Sequence, residues 1–224
     1  MKRILVLALV SVFSLSTLAC KKKTKKAAPN TKTSKKTKKK PAPRKLKMLG
    51  IVYKHNTTKV GWTGYKFTKK SAVKGHFANV KATGLTSAKT VSGLLKGFSL
   101  SIDGASVKTG RPDRDANIAA NFFKKFTGGA TILAKVVKVE GVKKGKLHVE
   151  LKLSGLTKVV VFDFTLAEDG TLTANAGIDM VKFGLKAAYD SIHAACKGFH
   201  VGKDKKSVTW TDAKLHITTV LANK

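Results

Sequence analysis

The sequence predicts a mainly β protein, an antiparallel barrel or sandwich of roughly six to eight strands with two short helices packed on it. Three observations lead there. From Met48 onward apolar and polar residues alternate with a period of two, the pattern of strands half-buried in a sheet. Turns containing glycine recur at short intervals, at Lys143–Gly145, Ser154–Gly155 and Glu168–Gly170, and strands joined so tightly must run antiparallel. Two segments then break the alternation and space their apolar residues as a helix does. The chain shows no internal repeat.

The first element is not part of that fold. Lys2 and Arg3 precede an apolar run from Ile4 to Leu18, followed by Ala19 and Cys20. A basic start, a short apolar core and a small residue before the cut define a secretion signal over residues 1–19, and the run is short for a membrane span. "LSTLAC" resembles a bacterial lipobox, with Thr17 where leucine is usual. Cys20 is therefore expected to become a lipidated first residue carrying palmitate-type acyl chains. Cys196 is then a lone thiol, with no partner for an internal disulfide.

Residues 20–47 form the second segment, of which 21–47 hold thirteen lysines and one arginine, no acid and almost no large apolar side chain. Such a stretch cannot bury enough surface to offset its ordering entropy, and it repels itself. It reads as a disordered tether, drawn to anionic lipid headgroups at about 1 kcal/mol per basic residue, or as a solubilising spacer with no specific partner. The remaining residues, 48–224, are the expected folded domain. They are basic too, because the tether accounts for fourteen and the signal for two of the formal net charge of +33. Nucleic acid is still not the expected partner: the protein is exported, no nucleic-acid motif appears, and lysine is spread evenly over alternating strands, as on a solvated face.

Within the domain "VGWTGYKF" places Val60, Trp62, Gly64 and Lys66 on one face, and Gly61, Thr63, Tyr65 and Phe67 on the other. "TILAKVVKVE", "KLHVELKLSG", "TKVVVFDFTLA", "TLTANAGIDM" and "SVTWTDAKLHITTVL" are rich in β-branched and aromatic residues and read as strands. The first helical break is "GRPDRDANIAANFF", Gly110–Phe123. Asp113 can cap a helix there, and Asp115 sits in the first turn, where negative charge is favoured. Ile118, Phe122 and Phe126 recur every four residues with Ala119 and Phe123 beside them; Asn117, Asn121 and Lys124 are expected to face away, and Gly128–Gly129 to end the helix. The second break, "FGLKAAYDSIHAACKGFH", carries a stripe of Leu185, Ala188, Tyr189, Ile192, Cys196 and Phe199, with Gly198 as its stop.

Several of these segments, "WTGYKF", "VKGHF", "GFSLSIDGASVKTGRPDRDANIAANFF", "ACKGFHVGK" and "VTWTDAKLHI", together resemble the YceI-like family of exported bacterial proteins, over roughly Val52 to Thr218. The Arg114–Asp115 pair followed by Ile118 and Phe122–Phe123 matches the most recognisable segment of that family. The resemblance implies a mainly β fold, an antiparallel lipocalin-like β-barrel with two short helices, whose lumen holds a long apolar chain such as a polyisoprenoid or a fatty amide or acid. A small antiparallel barrel can hold one such ligand, entering at its mouth. The helix from Asp113 is then expected to pack over one opening, with Phe122 and Phe123 lining the core or the pocket. Arg114 and Asp115 either anchor the helix start or hold a polar headgroup. Trp62, Phe67, Phe98, Phe162 and Phe164 are the further candidates for the pocket wall, with Tyr65, Phe77 and Trp210 as core or pocket.

No enzyme is expected. The chain has no G-x-S-x-G, no H-E-x-x-H and no obvious pair of carboxylates. One cluster merits weighing, "HAACKGFH". On a continuous helix His193, Cys196 and His200 would share an arc suited to zinc, copper or haem iron. Gly198 is expected to end the helix and carry His200 away, leaving Cys196 as a small buried hydrophobe. The expected cofactor is thus none beyond a bound lipid or isoprenoid. The sequence reads as a lipoprotein of the cell envelope, attached through Cys20 and the basic tether. Lys21 after the cysteine favours the outer membrane facing the periplasm. The alternatives are a cationic surface module for anionic polymers or headgroups, and a redox or metal protein using His193, Cys196 and His200. Oligomeric state is left open, a homodimer included.

Overall fold

The computed structural model describes residues 50–223. The signal, Cys20 and the lysine tether lie outside the described residues. Among the described residues twelve strands form: β1 Ile51–Tyr53, β2 Lys59–Lys66, β3 Ser71–Phe77, β4 Val80–Thr83, β5 Ser87–Ala88, β6 Ser99–Asp103, β7 Val107–Lys108, β8 Thr131–Gly141, β9 Lys144–Leu153, β10 Leu156–Leu166, β11 Thr171–Asp179 and β12 Asp212–Asn223. The helices are α1 Val91–Leu95, α2 Pro112–Asn121, α3 Met180–Phe183 and α4 Lys186–Cys196. The long strands and the two expected helices fall close to where the sequence places them, except that the first helix stops at Asn121 and a 3-10 turn takes up Phe123–Lys125 where the helix was expected to run on to Gly128. Most of the additional elements are runs of two to five residues, too short for a readable period; the exception is β3, seven residues whose burial alternates but which the sequence reading did not take as a strand.

Neighbours in the sheet follow the order β4-β6-β8-β9-β10-β11-β12-β2-β3-β7, with β1 beside the end of β12 and β5 beside β1. Every pairing is antiparallel. The path is open, and the sheet curls into a half-barrel around one core. Alternation decides what faces that core: Leu147, Val149, Leu151 and Leu153 of β9 are buried while His148, Glu150 and Lys152 between them are not.

The seam between the two ends of the path is where α2 packs. α2 touches β7, and the 3-10 turn Phe123–Lys125 that follows it presses on Gly104. A Cβ on Gly104 would come within 2.6 Å of the Phe123 ring, so only glycine lets the turn settle there. α1 sits elsewhere, with Val91, Leu94 and Leu95 buried and Thr90 Oγ1 accepting from the Gly93 amide at 3.0 Å.

Three details differ from the sequence reading. α2 begins at Pro112, whose fixed φ suits a first helical position, and Arg111 stands before it without a side-chain cap. Asp113 instead takes an exposed ion pair with Arg111 at 2.6 Å. Asn117 and Asn121 do not face away: the Asn117 amide donates to Cys196 Sγ at 3.3 Å and receives Asn121 at 2.6 Å, because α4 packs against that side of α2. Lastly, α4 ends at Cys196 and a 3-10 turn, Lys197–His200, follows. That change of pitch swings Phe199 off the buried stripe to 77% exposure.

Candidate functional site

Within the curl lies a cavity of about 210 Å³. Strand register stacks its wall in levels. Val60 lies beside Ile217, and Trp62 beside Leu215 on one side and Gly75 on the other. Gly64 lies beside Val73, and Lys66 closes the strand. Val60 and Trp62 pack in the core, and Val60, Trp62, Gly64 and Lys66 all reach the cavity, which makes theirs the inner face of β2, although Gly61 and Tyr65 of the other face touch the cavity as well. Along it the wall runs ~20 Å at ~3.3 Å per residue. Across from β2, the wall is made by Leu100 and Ile102 of β6, Ile132 and Ala134 of β8, and Leu151 and Leu153 of β9. Trp62 lies flat on Gly75, where a Cβ would come within 2.6 Å of the indole.

The α2 segment supplies an aromatic flank. Phe122, Phe123 and Phe126 meet edge to face with ring centres 5.1 to 5.5 Å apart, and Phe77 of β3 adds a fourth ring at 5.4 Å from Phe123. Such pairs contribute about 0.5–1.5 kcal/mol each beyond their burial. All four rings line the cavity, while Phe123 and Phe126 are also buried in the core. The helix start is held by one residue, Thr109. The Arg114 guanidinium donates through Nε to Thr109 Oγ1 and through Nη2 to its carbonyl, both at 2.8 Å. The buried Asp115 carboxylate accepts the Thr109 amide at 2.7 Å and its hydroxyl as well. Arg114 and Asp115 thus both bind Thr109 at the helix start, and Arg114 also reaches the cavity wall.

The rim beside α4 is polar. Lys66, Cys196, His200 and Thr209 face the cavity there. The Thr209 hydroxyl lies 3.1 Å from His193 Nδ1 and 2.8 Å from His200 Nδ1. A hydroxyl has one proton to give, so at least one of the two imidazoles must donate its own. Burial, then the Lys66 ammonium and then His193 push the His200 pKa down to about 4, which keeps that ring neutral at pH 7. Burial raises the Cys196 thiol, against smaller opposing effects of Asn117 and Lys66. Among the described residues no group of three or more His, Cys, Asp or Glu gathers as a metal site. His193 and His200 converge on Thr209 rather than on Cys196. His200 is not carried away by the helix stop, because the 3-10 turn folds it back.

Trp62, Arg114, Phe122, Phe123 and Phe162 therefore come together at the cavity, and Phe67, Phe98, Asp115 and Phe164 do not line it. β2 ends at Lys66, and Phe67 takes a left-handed φ of 60° in the turn, which breaks the alternation that put it on a sheet face. Its carbonyl accepts the Trp210 indole at 2.8 Å. Phe98 packs edge to face on Tyr53 at 5.1 Å, in the core. Phe164 is fully buried, packed in the same core. Sequence reasoning missed Thr209, Ile178, Met180 and Ile192 as wall residues. It had signals for two others, since Lys66 shares a face with Trp62, and Phe126 shares the helical stripe.

Residues 52–217 match the YceI-like domain family. No curated protein matches the chain. Among solved structures the chain resembles a polyisoprenoid binding domain from Saccharophagus degradans implicated in plant cell wall breakdown, at 13% identity and a TM-score of 0.53, over 78% of this chain and 98% of that one. It also resembles BcnA of Burkholderia cenocepacia, at 15% identity and a TM-score of 0.55, over 76% of this chain and 99% of the other. At these identities the likeness is one of fold.

Proposed function

This chain belongs to the YceI-like domain family, and from that premise we propose that it binds one long apolar chain, of polyisoprenoid or fatty-acyl type, inside the curled sheet. Binding serves carriage, storage or sequestration, and no reaction is part of it. The observation that carries this reading is the cavity itself. Its walls are almost entirely carbon, from β2, β6, β8, β9 and the Phe122–Phe126 segment. Water has few polar partners on such a surface, whereas an apolar chain is favoured there. The fold-level likeness to a polyisoprenoid binding domain supports the same class of ligand.

The reading extends to place. With its "LSTLAC" segment and the lysines of residues 21–47, the protein acts as an envelope lipoprotein, held through acylated Cys20 and facing the periplasm. Native mass spectrometry of the full chain, extracted from membranes of expressing bacteria, tests the ligand. The expected spectrum shows one extra apolar molecule per polypeptide, released by organic solvent. A mass equal to the acylated polypeptide alone would sink the reading.

A further inference from the structure

We propose that Lys66 receives the head of the bound molecule and that this head is an anion, a carboxylate or a phosphate, so that the ligand is a single-chain anionic amphiphile with its tail toward Val60. The inference rests on the proposed reading that an apolar chain fills the cavity, and adds the polarity and direction of that chain.

Charge on the cavity wall is one-sided. Lys66 and Arg114 both reach it, and no aspartate or glutamate does. The two cations are not equivalent. Arg114 has Nε and Nη2 committed to Thr109. Neither cation has a carboxylate within ion-pair distance among the described residues, Lys66 included. Its ammonium lies over the Phe67 ring, 4.7 Å from the centroid, a contact that accommodates the charge without neutralising it.

The neighbours of Lys66 add no negative charge. Cys196 is a buried thiol and Thr209 a hydroxyl already shared by two imidazoles. His200 is half-buried and neutral at pH 7. This rim therefore presents one cation at the edge of a low-dielectric space, where an unpaired charge is costly and a paired, hydrogen-bonded one is not. An anion supplied by the ligand would complete it.

Strand geometry sets the direction. Lys66 ends β2 beside α4, and Val60 lies six residues back on the same inner face, beside Ile217. Between them lie only Gly64 and Trp62 on that face. A head at Lys66 thus leads directly onto ~20 Å of apolar wall.

The experiment uses the full chain with Cys20→Ser, delipidated, and compares it with Lys66→Met and Lys66→Arg in the same background, so the basic tether is constant. The chain has two tryptophans, Trp62 and Trp210, and both line the cavity, so their fluorescence reports occupancy. The probes are palmitate against 1-hexadecanol, and farnesyl phosphate against farnesol. We expect each anion to bind about tenfold or more tightly than its neutral counterpart. Lys66→Met should abolish that preference, and Lys66→Arg should retain it. A preference confined to one of the two pairs identifies the head as carboxylate or phosphate and supports the proposal. Equal binding of charged and neutral heads by the wild-type chain overturns it while leaving the apolar-chain reading intact, as does an undiminished preference in Lys66→Met. Binding of none of the four probes overturns both. If Lys66→Met does not fold, Lys66→Gln takes its place in the same comparison.

Discussion

His200 shows what burial does to a single side chain. Its pKa falls from 6.5 to about 4 through desolvation first, then Lys66 and His193. The unfolded chain therefore takes up a proton near pH 6.5 that the folded chain refuses until about pH 4. Stability from this residue is present above that window and is lost as the pH falls through it. With solvent screening of a half-buried ring allowed for, the loss is about 2 kcal/mol. Urea midpoints at pH 7 and pH 4.5 should drop less for His200→Gln than for the wild type; parallel drops would show that the ring is not held neutral. The phenylalanines divide by the same logic of environment. Phe123 is buried at 6% exposure and wedged against Gly104, so Phe123→Ala should cost about 3–5 kcal/mol with or without ligand. Phe122 is only half-buried on the cavity wall. Phe122→Ala should lower ligand occupancy more than the stability of the empty protein, as native mass spectrometry beside thermal melts would show.

At the scale of elements, α2 is held at its start by hydrogen bonds to one residue and along its length by packing. Thr109 gives its amide and hydroxyl to Asp115 and accepts from Arg114 at both its hydroxyl and its carbonyl. Asp115→Ala leaves the part-buried Thr109 amide without its acceptor, which costs about 1 kcal/mol. Thr109→Val removes the hydroxyl shared by both side chains. Because the two changes break one network, their effects on urea stability should fall well short of additive. Full additivity would mean that the clasp does not act as a unit. An Arg114→Ala loss of similar size with and without bound ligand would mark the arginine as an anchor, whereas a loss seen only in the loaded protein would mark a headgroup contact.

At the scale of the whole molecule the charge divides by region. Fourteen basic residues and no acid lie in residues 21–47, and attraction to anionic vesicles through them should collapse between low and high salt. Deleting 21–47 should abolish that attraction and leave the melting temperature of the domain almost unchanged; undiminished vesicle binding would place the relevant charge on the sheet instead. Attachment is expected to rest on the acyl chains, since two or more hold a protein where one does not. Cys20→Ser should therefore release the chain from membranes in high salt, and retention in the membrane fraction would exclude lipid anchoring at that residue.

The sequence by itself determined the features that depend on neighbours along the chain. Alternation in the stretches that become β8 to β12 fixed long antiparallel strands. The Ile118 and Phe122 stripe fixed a helix before Gly128, and the face shared by Val60, Trp62, Gly64 and Lys66 was legible as a unit. What the sequence left open was which face turned inward, because a period of two marks both faces alike. Only the curl of the sheet, with α2 across its open seam, gives that face an inside. The tertiary structure also decided matters in which one turn redirects a side chain. Phe67 leaves the sheet through a left-handed φ, and Phe199 leaves the helical stripe through a change to 3-10 pitch. Thr209 acquires two histidines because the segment from Lys197 onward doubles back toward β12. Periodicity carries no information about such turns, since each is set by hydrogen bonds and packing between segments distant in sequence. The polar rim at Lys66 is assembled in that way, from β2, α4 and the approach to β12, around a cavity whose apolar face was already written along single strands.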